Sequence, residues 1–109
     1  GREVARGRDR IAELYATTTR RHADGTPRTR HITANSIIEV DEAAGTATAR
    51  SVYLVLQATD AVPLQPIASG RYLDRFARGD DGAWAFTERT ITVDLTGRLD
   101  DHLTFTLPT

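Results

Sequence analysis

The feature that most constrains this chain is a change of hydrophobic period at residues 23–27, where Asp24-Gly25 and Pro27 mark a turn. Before it, Ile11, Leu14, Tyr15 and Thr18 recur at helical spacing, with Asp9 in the first turn, where a carboxylate complements the helix dipole. One amphipathic helix is therefore predicted over residues 8–21. After the turn, every apolar run reads as strand. Residues 29–40 are rich in β-branched side chains, and His31, Thr33 and Asn35 share one parity against Ile32 and Ala34. That parity breaks at Ile37-Ile38, which predicts a bulge or strong bend. A turn over 41–46 leads to residues 47–59, where Val52 to Leu56 are apolar on both parities and predict a central strand covered on both sides. After a break at 60–66, residues 67–78 meet 83–94 across Gly79-Asp80-Asp81-Gly82, a four-residue hairpin loop. The tail from 95 holds Gly97, Arg98, Asp100, Asp101, His102 and Leu103, with 104–107 as a short edge strand. One helix followed by a four-strand meander predicts an α+β domain: a single bent antiparallel sheet, the helix on its concave side, enclosing a hollow of small-molecule size.

Composition narrows the function classes. The 109 residues suffice for one domain, and a net charge of −1 gives no general attraction to nucleic acid or anionic membrane. All fourteen basic residues are Arg. There is no cysteine, so no disulfide, thiolate nucleophile or Cys-ligated metal is expected, and no apolar run approaches a membrane-spanning length. A cytoplasmic protein is the default expectation. Neither GxGxxG nor GxxxxGK[ST] occurs, and Ser36, Ser51 and Ser69 lie in no nucleophile-elbow context. His22, His31 and His102 stand at no ligand spacing, so no metal site is expected. Arg2, Arg6, Arg8 and Arg10 form a basic cluster that reads most simply as a solvated segment, with phosphate binding at the helix start as the functional alternative.

Two groups carry possible chemistry. His31 and Asn35 share a strand face about 13 Å apart if extended, and His31 is a side chain whose ordinary pKa, about 6.5, suits a general acid or base. The plainer role is a histidine hydrogen-bonded to a neighbouring element, and it should border the largest pocket if it is functional. In the last hairpin, pairing residue 78 with 83 sets Tyr72 opposite Arg89, with Asp74 diagonal to it. A phenol and a guanidinium facing a hollow can polarise a carbonyl or hold an enolate oxygen. The alternative is an Asp74–Arg89 charge pair with Tyr72 packed over it. Trp84 and Phe86 are read as core against the helix, or else as a stacking platform.

The order of these residues is also informative: Gly7-Arg8-Asp9 opening a helix, Arg30-His31 with Asn35, residues 47–51 after a turn, Gly70-Arg71-Tyr72 with Asp74, then Asp81-Gly82 with Trp84 and Arg89. This string resembles the SnoaL-like branch of the nuclear-transport-factor-two-like superfamily, near its dehydratase and ring-hydroxylating dioxygenase β-subunit groups. The resemblance implies an α+β barrel, a cone of bent sheet with an apolar pocket open at one end. It implies a cofactor-independent dehydratase, isomerase or cyclase acting on a small apolar carbonyl compound, or a non-catalytic binding or oligomerisation module. His31, Tyr72 and Arg89 would be catalytic; Asn35, Leu54, Leu56 and Trp84 would contact the substrate. Leu54 or Leu56 falls opposite His31 in a simple register, where dehydratase-like relatives place a polar group. Family domains begin with further helices that close the cone, so residues 1–109 are expected to form one such domain without them. Apolar strand surface on both faces further implies a homo-oligomer, dimer or trimer.

Overall fold

The computed structural model describes residues 6–105. Helix α1 spans Arg8–Thr18, and strands β1 Thr29–Asp41, β2 Thr46–Gln57, β3 Gln65–Arg78 and β4 Trp84–Thr96 follow. The strands form one antiparallel sheet in chain order, β1-β2-β3-β4. This is the expected α+β meander. Each ladder carries a register shift, in β1–β2 between Ala34 and Ile37, in β2–β3 at Val55/Leu56, and twice in β3–β4. An extra residue on one strand bends and twists it, so repeated shifts curve the whole sheet.

The first bulge lies slightly before its predicted place. Asn35 adopts φ 54°, a left-handed conformation that Asn tolerates better than the Ile37-Ile38 pair would. The helix is also shorter than predicted. Thr19 turns extended (φ −96°, ψ 123°) and bridges to Leu103, while the Thr104 N–H donates to Thr18 O at 3.0 Å. Pairing with the returning tail thus ends α1 three residues early. Leu103 makes the only bridge of the tail among the described residues; of the predicted edge strand, residues 106 and 107 lie outside them, as does Arg2 of the basic cluster.

Register sorts the side chains onto two faces. On the inner face, Ser51, Tyr53, Val55 and Gln57 of β2 are buried. Tyr53, Val55 and the fully buried Ile67 form the core, joined by Ala68, Tyr72 and Leu99. Gln57 is 2% exposed because its amide is fully used, Nε2 donating to Pro27 O (2.9 Å) and Asp101 O (3.0 Å). The tail is thereby latched over one end of the sheet. The outer face carries Val52, Leu54 and Leu56, with the ion pairs Arg71–Asp94 (2.8 Å) and Arg75–Glu88 (3.9 Å) towards β4. Expected cover on both sides of β2 is not found: Val52 is 39% exposed, because no described element lies over this face.

The other end of the inner face and its β4 edge are bare. Ile38, Val40, Trp84, Phe86, Ile91 and Val93 are all 42–64% exposed, although an apolar sheet face ordinarily packs against another layer. Trp84 and Phe86 are therefore not core against the helix, since α1 buries no residue of its own and spans only 11 residues. The helix approaches the sheet through Tyr15, near enough to Tyr72 and Arg89 to influence both electrostatically. A radius of gyration of 16.0 Å, against about 13 Å for a compact domain of this length, agrees with an open half-shell.

Candidate functional site

A continuous strip of rings and guanidinium groups crosses the inner face between the covered and bare ends. Tyr53 and Tyr72 stack with centroids 4.6 Å apart. The Arg89 guanidinium lies 4.1 Å from the Tyr72 ring and 5.0 Å from Phe86, which itself meets Phe76 at 4.5 Å. Arg78 lies over Trp84 at 5.4 Å. Asp74, 4% exposed, fixes Arg89 in a fork: Nε donates to Oδ1 at 2.7 Å and Nη2 to Oδ2 at 3.0 Å. Those bonds raise the Arg89 pKa further above its ordinary value. Of the five guanidinium N–H donors, the two on Nη1 stay outside that fork.

Glycine makes this strip possible. Gly70 faces Tyr53 across the β2–β3 ladder, and a Cβ there would collide with Thr92 O and stand 2.7 Å from the Tyr53 hydroxyl. Its absence lets the phenol reach across and donate to Thr92 O at 3.3 Å. Burial raises the pKa of both Tyr53 and Tyr72, Arg89 opposing the rise at Tyr72, so both phenols remain hydrogen-bond donors at neutral pH.

The hairpin register differs from the predicted one. Arg78 pairs with Trp84, and a bulge between Arg75 and Phe76 sets Asp74 opposite Arg89 and Tyr72 opposite Ile91. The alternative reading of this group, a charge pair with Tyr72 packed on it, is what the fold contains. The opposite number of His31 is Val55, so Leu54 and Leu56 project from the outer face, away from His31. Strand parity forces this, because a one-residue slip exchanges faces.

His31 is exposed, and neither ring nitrogen has a hydrogen-bond partner among the described residues. Counting strand spacings and residue rises along the sheet, it lies roughly 16 Å from Tyr72 and roughly 25 Å from Arg89. The three are on one face, with His31 far along the sheet from the other two. Asn35 is exposed within the β1 bulge, and Trp84 is half-exposed at the far end of the strip.

The histidines, scattered in sequence, converge in space. His22 Nε2 donates to Asp101 O at 2.8 Å, and Nδ1 of His102 is buried with no partner. Burial lowers the His102 pKa, and the positive charges that His31 and His22 can carry lower it further. They do not form a metal-binding group among the described residues. Sequence spacing missed this cluster because the tail returns to α1 and β1 only in three dimensions. Tyr53 was overlooked for a different reason: its parity with Ser51, Val55 and Gln57 was visible, but not that this parity faces inward.

One hollow lies elsewhere. It is an open groove of about 370 Å³, with Arg28, Thr29 and Arg30 on one side and Leu56, Gln57, Ala58 and Leu64 on the other. His31 does not border this groove, because its side chain points to the inner face while Arg30 and Leu56 share the outer one.

Residues 1–90 match the family described as SnoaL-like domain. Among curated proteins, none matches the chain. A solved structure, a variant of Rv3472 described as a function unknown protein from Mycobacterium tuberculosis, is similar at 37% identity with a TM-score of 0.54. The similarity covers 62% of this chain and 37% of that one, so this chain spans well under half of the relative's length. No helix among the described residues is long and apolar enough to cross a membrane.

Proposed function

The chain belongs to the SnoaL-like domain family, and on that premise we propose that it binds a flat, apolar, carbonyl-bearing small molecule on the inner face. The observation that carries this reading is the strip Tyr72–Arg89–Phe86, rings and a cation left accessible between buried Tyr53 and an uncovered apolar surface. A flat ligand stacks on Phe86 and Trp84, displacing water from apolar carbon. The Nη1 donors of Arg89 meet its carbonyl oxygen, and Asp74 keeps the guanidinium from reorienting. A homo-oligomer that covers Ile38, Val40 and Val93 belongs to the same proposal.

The test uses Trp84, the single tryptophan of the chain. Titration with a steroid or polycyclic aromatic ketone should quench its emission saturably, and Arg89→Met should weaken the ketone while leaving the parent hydrocarbon unaffected. Emission unchanged by any such compound at its solubility limit counts against the binding reading.

A second reading, proton-transfer catalysis, is favoured by the unpartnered ring of His31. His31 would take a proton α to the carbonyl, the electron pair moving onto an oxygen held by the Tyr72 hydroxyl. Returning the proton to another carbon gives isomerisation; passing it to a departing β-hydroxyl gives dehydration. Because roughly 16 Å separates His31 from Tyr72 along the sheet, this reading requires curvature to bring them together around the ligand. With a turned-over substrate in hand, His31→Ala should lower kcat by about 100-fold or more with an unchanged melting temperature. Unchanged turnover would remove His31 from the chemistry.

A further inference from the structure

We propose that the groove at the sheet end, beside the start of β1 and the end of β2 and open towards the outer face, is a second binding site, for a small amphiphilic monoanion with a carboxylate head and an apolar tail. It is separate from the inner-face strip. Three observations converge on it.

The floor is apolar and held open. Leu56 projects outward from β2, and Leu64 is 70% exposed. Looseness of the connecting loop does not explain that exposure, since buried Val62 and Thr59 exchange backbone hydrogen bonds (3.3 and 2.8 Å) and Thr59 Oγ1 donates to Asp101 Oδ2 at 2.7 Å.

The rim is cationic. Arg28 Nε donates to Ala58 O at 3.1 Å, and its Nη1 reaches Asp24 at 3.5 Å, so one guanidinium is fixed and its charge is partly offset. Arg30 stands beside Leu56 in the ladder and has no ion-pair or side-chain hydrogen-bond partner among the described residues. No acidic residue lines the groove. Two guanidinium groups against the single Asp24 carboxylate leave one positive charge at an apolar opening, which complements one anionic head.

The size is right for a short tail. A volume of about 370 Å³ falls within the ~300–1,000 Å³ of small-molecule pockets. At about 30 Å³ per water-sized group, it accommodates roughly a dozen non-hydrogen atoms, matching a medium-chain carboxylate.

The experiment is an NMR titration of the full chain with octanoate, and in parallel with 1-octanol. Octanoate should saturate with a Kd on the order of 1 mM or tighter, shifting the Leu56 and Leu64 methyls and the Arg30 Nε–H. Octanol should bind about five-fold more weakly. Arg30→Gln should bring octanoate down to the affinity of octanol without altering octanol itself, which shows that the floor is intact. Leu64→Asp should abolish both. The proposal is overturned by equal affinity for acid and alcohol, by indifference to Arg30→Gln, by no saturation below about 10 mM, or by shifts confined to Tyr72, Trp84 and Phe86. That last pattern would support the inner-face reading while removing this one, so the two fail separately.

Discussion

The two ends of the inner sheet face are built from the same four strands yet behave as different surfaces. At one end, Tyr53, Val55 and Ile67 are at most 5% exposed beneath Leu99 and the latched tail. At the other, Phe86 is 59% and Ile38 64% exposed. Strand composition does not separate them, for both ends are β-branched and aromatic. The difference comes from what returns to cover them: the tail reaches Gln57, Thr19 and Thr59, and no described element reaches Trp84. A side chain's apolarity tells that it can be buried, while burial itself depends on a second layer.

Mutations can break this comparison. Tyr53→Ala should have the largest effect, about 3–5 kcal/mol, since it leaves a cavity in the covered end; denaturant unfolding measures it, and a loss below about 1 kcal/mol would mean that the core is misidentified. Gly70→Ala should follow at about 2–3 kcal/mol, because the new methyl collides with Thr92 O and displaces Tyr53. Arg89→Met tests the boundary strip. Removing one partner of a buried pair costs about 3–5 kcal/mol, but the Arg89 side chain is 41% exposed, so solvent screening brings the expectation to about 1–2 kcal/mol.

Phe86→Ala, at the bare end, should cost under about 1 kcal/mol despite deleting a ring as large as that of Tyr53. A cost near that of Tyr53→Ala, with dependence on protein concentration, would indicate that a second copy covers this end in solution.

The smallest expected effect is a pH dependence from His102. Histidine in the unfolded chain titrates near 6.5, and His102 in the fold titrates lower. Between those values the unfolded chain binds more protons. The stability contribution is therefore complete above about pH 6.5 and declines as pH falls towards the folded value. Melting temperature should drop on acidification through that window, and His102→Leu should flatten the drop. An unchanged slope would exclude burial of this ring as its cause.

Much of the architecture was legible because periodicity is local. The period change at 23–27, the four strands and the Gly79–Gly82 loop all follow from side-chain alternation and turn chemistry. The α1 end was misjudged because Thr19 pairs with Leu103, far along the chain. The hairpin register was misjudged twice by one residue: the loop closes Arg78 on Trp84 where Ala83 was expected, and a bulge inserts Thr87, neither leaving a composition signal, and together they move Arg89 from Tyr72 to Asp74.

By itself, then, the sequence determined an α+β chain with one helix, an antiparallel meander, and His31, Tyr72 and Arg89 on strands of one sheet. Only the tertiary structure decided that Leu54 and Leu56 face away from His31, that Asp74 holds Arg89, and that His22, His31 and His102 converge. The physical reason is that element type depends on neighbours a few residues away, whereas register, facing and enclosure depend on bulges and on contacts between distant segments.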